Sequence, residues 1–338
     1  MIARLTYLFV LAICSATGEQ TAIPGPEACA SCHPAETKLH ERSRMARAMM
    51  PALQSAFAQN LPDRRLGESG DGYSFLYRRT LSGIEVTAQR GTDTATGLIE
   101  WVLGAGAQGQ TPLVQTSGGV AEARVSYFPQ NRQYGITIGQ NAGASPNALA
   151  ALGLKQSNRE LQACLGCHSS AITRDLQPVI PGVQCQRCHL GVEQHLRDTT
   201  HHPLNPGKLS ASDQVRFCGN CHRFQAPQTD APIEDVRFQP LRLMKSRCFL
   251  KSGRLACTTC HPAHQDAVRN KPAFYNEKCL GCHNSPAAHA DARQTGDCIG
   301  CHMPYVQIHP ALRFTDHYIR VVKAGDLPAD AIRQRGSE

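Results

Sequence analysis

Apolar and polar residues alternate along residues 70–140: Tyr73, Phe75 and Tyr77, then Ile84 and Val86, then Ile99, Trp101 and Leu103, then Val125 and Tyr127, then Ile136 and Ile138. Successive strand side chains point to opposite faces, so a period of two predicts half-buried strands. Glycine-rich punctuation at Ser82-Gly83, Gly104 to Gly109 and Ser117-Gly118-Gly119 makes this stretch an expected antiparallel β unit, and it holds the single Trp. The period changes after it. Ser157-Asn158-Arg159-Glu160 fits a capping box, and Leu161, Cys164, Leu165 and His168 follow at helical spacing. At the N-terminus, Met1 to Arg4 followed by the apolar run Leu5 to Ile13 has the charge and length of a secretory leader ending near Ala16. That run is too short to span a bilayer. A lipid anchor on Cys14 is a weaker alternative, because Ile13 is large for a lipobox. The expected organisation is a leader over 1–16, an N-terminal segment over 17–69, the β-rich insert over 70–140 and a C-terminal domain over 141–338.

The chemistry lies in a repeat. Cys-x-x-Cys-His occurs seven times: Cys29, Cys32 and His33; Cys164, Cys167 and His168; Cys185, Cys188 and His189; Cys218, Cys221 and His222; Cys257, Cys260 and His261; Cys279, Cys282 and His283; Cys298, Cys301 and His302. Two thiols three residues apart can each add across a haem vinyl group, and the adjacent imidazole then sits under the iron. A zinc half-site, a thioredoxin-like pair or a disulfide framework would not require His after every second Cys. The pattern therefore predicts seven covalently attached haems c. One belongs to the N-terminal segment and six crowd between Cys164 and His302. With so many apolar macrocycles in so short a stretch, the expected fold is short α-helices and loops around stacked haems, without a continuous aliphatic core.

The formal charge of +8 raises nucleic-acid binding. Haem propionates oppose it, since Arg and Lys pair with carboxylates, and no basic run carries interleaved aromatics. No nucleic-acid partner is expected. Gly104-Ala105-Gly106-Ala107-Gln108-Gly109 matches GxGxxG, but Pro112 and further strand-like segments follow where a dinucleotide site needs a helix. It is expected to be a turn. Of sixteen cysteines, the two outside the motifs are Cys14 and Cys248. Cys14 is expected to leave with the leader, and Cys248 to be an unpaired thiol near a haem, with a redox role as the alternative.

What occupies the sixth position of each iron separates a carrier from a catalyst. Fifteen histidines less the seven in motifs leave His40, His195, His201, His202, His264, His289, His309 and His317. His195 and His264 follow their nearest motifs too closely to reach the far side of the same iron, so each is expected to reach a neighbouring haem. His201 and His202 are adjacent, so one of them is the expected ligand. Met45 is a further candidate, with Met49 and Met50 beside it on an expected helical stretch, and a Met ligand raises a haem potential relative to two histidines.

Several phrases resemble those of secreted multihaem c-type cytochromes with doubled CxxCH motifs, a group with bacterial members fused to tetratricopeptide repeats. They include Ala28 to His33 with Ser43-Arg44-Met45-Ala46, Trp101 to Gly106, Val125 to Pro129, Gly182 to Cys185, Ser246-Arg247-Cys248-Phe249, Cys257 to His264, and Cys301 to Pro304 ahead of Thr315-Asp316-His317. The resemblance implies electron transfer and strengthens Met45 as a ligand. The chain departs from it in ending near Glu338 without the repeats, so their docking role does not carry over. The expectation is an exported or periplasmic heptahaem cytochrome that carries electrons along closely packed haems to redox partner proteins, without catalytic residues. A reductase of a small nitrogen compound or oxyanion at one open haem is the alternative. A sensor whose β unit docks a partner is a third.

Overall fold

Period-two patterning gives the strands expected of it in this computed structural model, which describes residues 24–61, 72–140, 143–223, 232–283, 296–323, 325–326 and 332–333. The leader, Cys14 and His289 lie outside the described residues. The strands of the β unit are β1 Met49–Pro51, β2 Ser74–Arg79, β3 Ile84–Arg90, β4 Asp93–Leu103, β5 Thr111–Thr116, β6 Gly119–Ala123, β7 Val125–Phe128, β8 Gln133–Ile136 and β9 Gly153–Lys155. β2-β3-β4-β5-β6-β9 form one antiparallel sheet, and β1 pairs with the end of β4 beyond β3, Met49 facing Leu103. β7 and β8 form a separate hairpin. The unit thus recruits strands on both sides of residues 70–140. Gly104, at φ +97°, opens the β4–β5 turn, so the GxGxxG segment is a turn, as expected.

Two departures from the pattern have physical causes. Ile99, Trp101 and Leu103 alternate, but a register shift between Ile99 and Trp101 breaks the phase of β4. A bulge rotates the strand. Ile99 and Val102 enter one core with Phe57, Tyr73, Phe75 and Ile84, while Leu103 enters a second core with Met49, Leu113, Leu161 and Leu165, Trp101 packing against it. Met49 and Met50 lie in β1 rather than on a helix, because their backbone pairs with β4 and Met49 fills the second core.

The second core carries the next element. The Asn158–His168 helix has the expected capping box between Ser157 and Glu160, and it buries Leu161 and Leu165, one turn apart, against the sheet. The helix packed on the sheet carries the second motif, and Ala107, Gln108 and Gln130 of the β unit share a cavity wall with the first. After it come a hairpin of β10 Ser169–Ile172 and β11 Pro178–Pro181, short helices bearing most motifs, and a small sheet of β12 Tyr305–His309, β13 Leu312–Thr315 and β14 Ile332–Arg333. One later motif helix is not shorter than the helix of the second motif: Ala211–His222 has twelve residues, capped where the Ser210 side chain accepts from the Asp213 N–H. Beyond the β unit the apolar clusters among the described residues are small, built around Val236 with Val306 and around Phe128 with Leu312.

Candidate functional site

Six of the seven motif segments line one cavity of about 2540 Å³ with mostly apolar walls. An ordinary small-molecule site has about 300–1,000 Å³, so this space suits several large groups. His33, His189, His222, His261, His283 and His302 reach it from the motifs, and His40, His195, His202, His264 and His317 reach it from elsewhere. Met45 also lines it. His168, at the end of the helix docked on the sheet, is not among its lining residues.

Three motif imidazoles face three non-motif imidazoles. His33 and His195 have ring centroids 6.5 Å apart at 40°, His189 and His264 are 6.0 Å apart at 25°, and His261 and His317 are 6.1 Å apart at 34°. Imidazole nitrogen binds a transition metal at about 2.0–2.1 Å, so two rings on opposite sides of one ion have centroids roughly 6 to 6.5 Å apart. The three separations match that value, and direct ring contacts also extend over about 4.5–7 Å, as His261 and Tyr275 do at 6.3 Å. Among the described residues no group of three or more His, Cys, Asp or Glu side chains is placed to hold a metal ion.

Carbonyl groups fix which nitrogen of each ring is free. A carbonyl oxygen can only accept, so a ring nitrogen bonded to it carries the proton. Nδ1 donates to Ala48 O from His168 at 2.8 Å, to Leu204 O from His189 at 3.0 Å, and to His201 O from His195 at 2.8 Å. It also donates to Arg320 O from His302 at 2.8 Å and to Thr315 O from His317 at 2.9 Å. These five rings keep the Nε2 lone pair for a metal, the arrangement that orients metal-binding histidines. Two others are turned the opposite way. His40 donates from Nε2 to Val183 O at 2.8 Å. His309 Nδ1 accepts the Ala311 N–H at 3.1 Å, and its ring packs on Phe128 at 5.9 Å.

Electrostatics keep the site neutral where it is deepest. Burial, then repulsion from His261, lowers His317 to about 4, and burial is also the leading cause for His222, His261 and His264, all lowered. Neutral imidazole is the ligating form. Beside His317, the fully buried Asp316 carboxylate accepts from Arg242 at 2.8 and 2.6 Å and from Arg320 at 2.8 Å. Arg320 is also the residue whose carbonyl holds His302, so one ion network supports a non-motif ring and a motif ring together. Nothing in the alternation or the motif spacing signalled it; the phrase Thr315-Asp316-His317 was the one pointer.

Thiols of different motifs meet, three of the four pairs on the cavity wall and Cys167 with Cys221 off it. Cys29 contacts Cys185, Cys167 contacts Cys221, Cys218 contacts Cys257, and Cys279 contacts Cys298. Burial, then Cys185, pushes the Cys29 thiol up to about 11. Cys248 is half-buried, with Cys260 and Cys282 nearby, and its thiol is raised by burial.

A family model described as "Cytochrome c554 and c-prime" matches residues 137–190, the stretch holding the second and third motifs. The solved structure of Outer Cell Wall Cytochrome OcwA aligns with 90% of this chain and 80% of its own, at a TM-score of 0.53 and 13% identity. The two share a fold. No curated protein matches. The likeness in fold to that solved cytochrome covers both the antiparallel sheets and the short helices around the large, thiol-lined space. No helix among the described residues is long and apolar enough to cross a membrane.

Proposed function

We propose that the chain is an exported heptahaem c-type cytochrome that carries single electrons between redox partner proteins. The observation that carries this reading is the set of three imidazole pairs, each spaced for one metal ion between the rings and each joining a CxxCH histidine to one from outside the motifs. When bound, haem c supplies a one-electron couple at each iron. Fourteen motif thiols hold the groups covalently, and the motif histidines ligate through Nε2. His195, His264 and His317 cap the groups of the first, third and fifth motifs. Backbone carbonyls fix the rings of His189, His195 and His317, so ligand orientation does not change with redox state. The mostly apolar cavity walls exclude water, and axial ligand and burial together set each potential.

The ligands follow a rule along the chain. His195 follows the third motif and serves the first; His264 follows the fifth and serves the third; His317 follows the seventh and serves the fifth. This gives residue-level form to the expectation that non-motif histidines reach neighbouring haems.

The small-substrate reductase keeps one observation in its favour. His309 accepts a backbone N–H at Nδ1 and lies off the cavity wall, leaving His40 (through Nδ1), His201, His202 and His289 for the irons of His168, His222, His283 and His302. With one of the adjacent His201 and His202 serving, three histidines remain for four irons. Met45, on the cavity wall, is the remaining protein candidate. Electron paramagnetic resonance of the oxidised holoprotein, with haem counted by intact mass, separates the two readings. Seven haems, all low-spin and at least three with bis-imidazole signals, is the outcome expected of a carrier. A high-spin ferric signal would transfer the reading to a reductase, and fewer than three bis-imidazole signals would remove its central observation.

A further inference from the structure

Motif order in the chain describes a single file, but the contacts do not. We infer that the fourth motif, Cys218 to His222, is a three-way junction, with the second motif as a side branch and the first, third, fourth, fifth, sixth and seventh motifs as the main line. The inference rests on the haem reading above and adds the layout of the groups.

Three neighbours converge on the Ala211–His222 helix. From the second motif, Cys167 contacts Cys221, and its Sγ lies 3.9 Å from the Asn220 carbonyl oxygen. From the third, Cys188 approaches both Cys218 and Cys221. Arg187, inside the same motif, donates to the Gly166 carbonyl of the second motif and to the Cys221 sulfur of the fourth. One guanidinium thus ties three motifs, using the several donors that Arg presents in fixed directions. From the fifth, Cys257 contacts Cys218, and the buried Gln214 of the same helix accepts from Thr258 N at 2.9 Å and Thr258 Oγ1 at 3.0 Å.

The line continues on both sides. Cys279 approaches Cys260 and contacts Cys298, which joins the fifth, sixth and seventh motifs. At the other end, Cys29 contacts Cys185, so the first motif adjoins the third and passes over the second. The imidazole pair at this end shows the same step, since the ring facing His33 is His195, just after the third motif; the other two pairs bring the third motif toward the fifth and the fifth toward the seventh.

The chemistry turns these contacts into a layout. Each CxxCH binds one edge of its macrocycle through two thioethers, so thiols in contact place two such edges side by side. An electron lost at one site is gained at the adjacent one, and at the fourth motif three sites are adjacent. The molecule then has three ends: the first motif, the seventh, and the second. The second is the one docked on the β sheet through Leu161 and Leu165. A partner at any end can exchange electrons with partners at both others.

The test is anomalous diffraction at the iron edge from crystals of the oxidised holoprotein, which locates the irons without any variant. The expected map gives the iron beside His222 three nearest irons, those of His168, His189 and His261, and gives the iron beside His33 one, that of His189. An iron at His168 lying between those of His33 and His189, or an iron at His222 with only two close neighbours, would overturn the junction while leaving the haem reading intact. Motifs without iron would overturn both.

Discussion

A motif histidine is legible from its spacing alone, whereas the imidazole it faces is not. His195 and His264 could be excluded from their own motifs by chain length, yet naming their partners required contacts between segments far apart in sequence. Ring tautomer was equally hidden. Nothing in the sequence distinguishes His264, which faces His189 at 6.0 Å, from His309, whose Nδ1 accepts a backbone N–H. The difference can be tested. His264→Met replaces one imidazole by a thioether, and axial ligands tune haem potentials over about 0.8 V. One of seven potentials is expected to rise by on the order of 0.1 V, with one bis-imidazole signal lost, in a potentiometric titration followed by electron paramagnetic resonance. His309→Ala is expected to leave every potential in place. A shift in the second variant, or none in the first, would reverse the assignment.

Elements were read better than their boundaries. Alternation located the strands between Tyr73 and Ile136, and the capping box located the helix that follows. The β4 bulge was hidden because alternation through Ile99, Trp101 and Leu103 continues in sequence while the backbone changes phase. Met49 and Met50 looked helical beside Met45 and became a strand because β4 offers an open edge beyond β3. The same second core shows what the helix carrying His168 depends on. Leu165 is 1% exposed and packs among Met49, Leu103, Leu113 and Leu161. Leu165→Ala is expected to destabilise the holoprotein by about 2–5 kcal/mol, while Ser157→Ala, losing only the exposed cap, costs about 1 kcal/mol. Chemical denaturation followed by far-ultraviolet circular dichroism measures both. Equal costs would mean that the helix is not held by its apolar face.

At the scale of the molecule, two halves are built on different principles. The β unit has an aliphatic and aromatic core of its own, with Phe57 edge-on to Tyr77 at 5.6 Å and to Tyr134 at 5.2 Å. The motif half has a cavity of about 2540 Å³ where such a core would be. That it would lack a continuous aliphatic core followed from the motif density; that its imidazoles would pair in steps of two motifs did not, since such pairing exists only in three dimensions. Apolar walls of this extent have no packing partners of their own. On the haem reading the attached groups are those partners, so protein made without haem attachment is expected to fold only in the β unit. Limited proteolysis of that haem-free chain should leave a protected fragment near residues 49–155 and digest the region from Cys185 to Arg320, whereas the holoprotein should resist throughout. A haem-free chain protected in both halves would mean that the motif segments carry a core of their own, and that the macrocycles are cargo rather than structure.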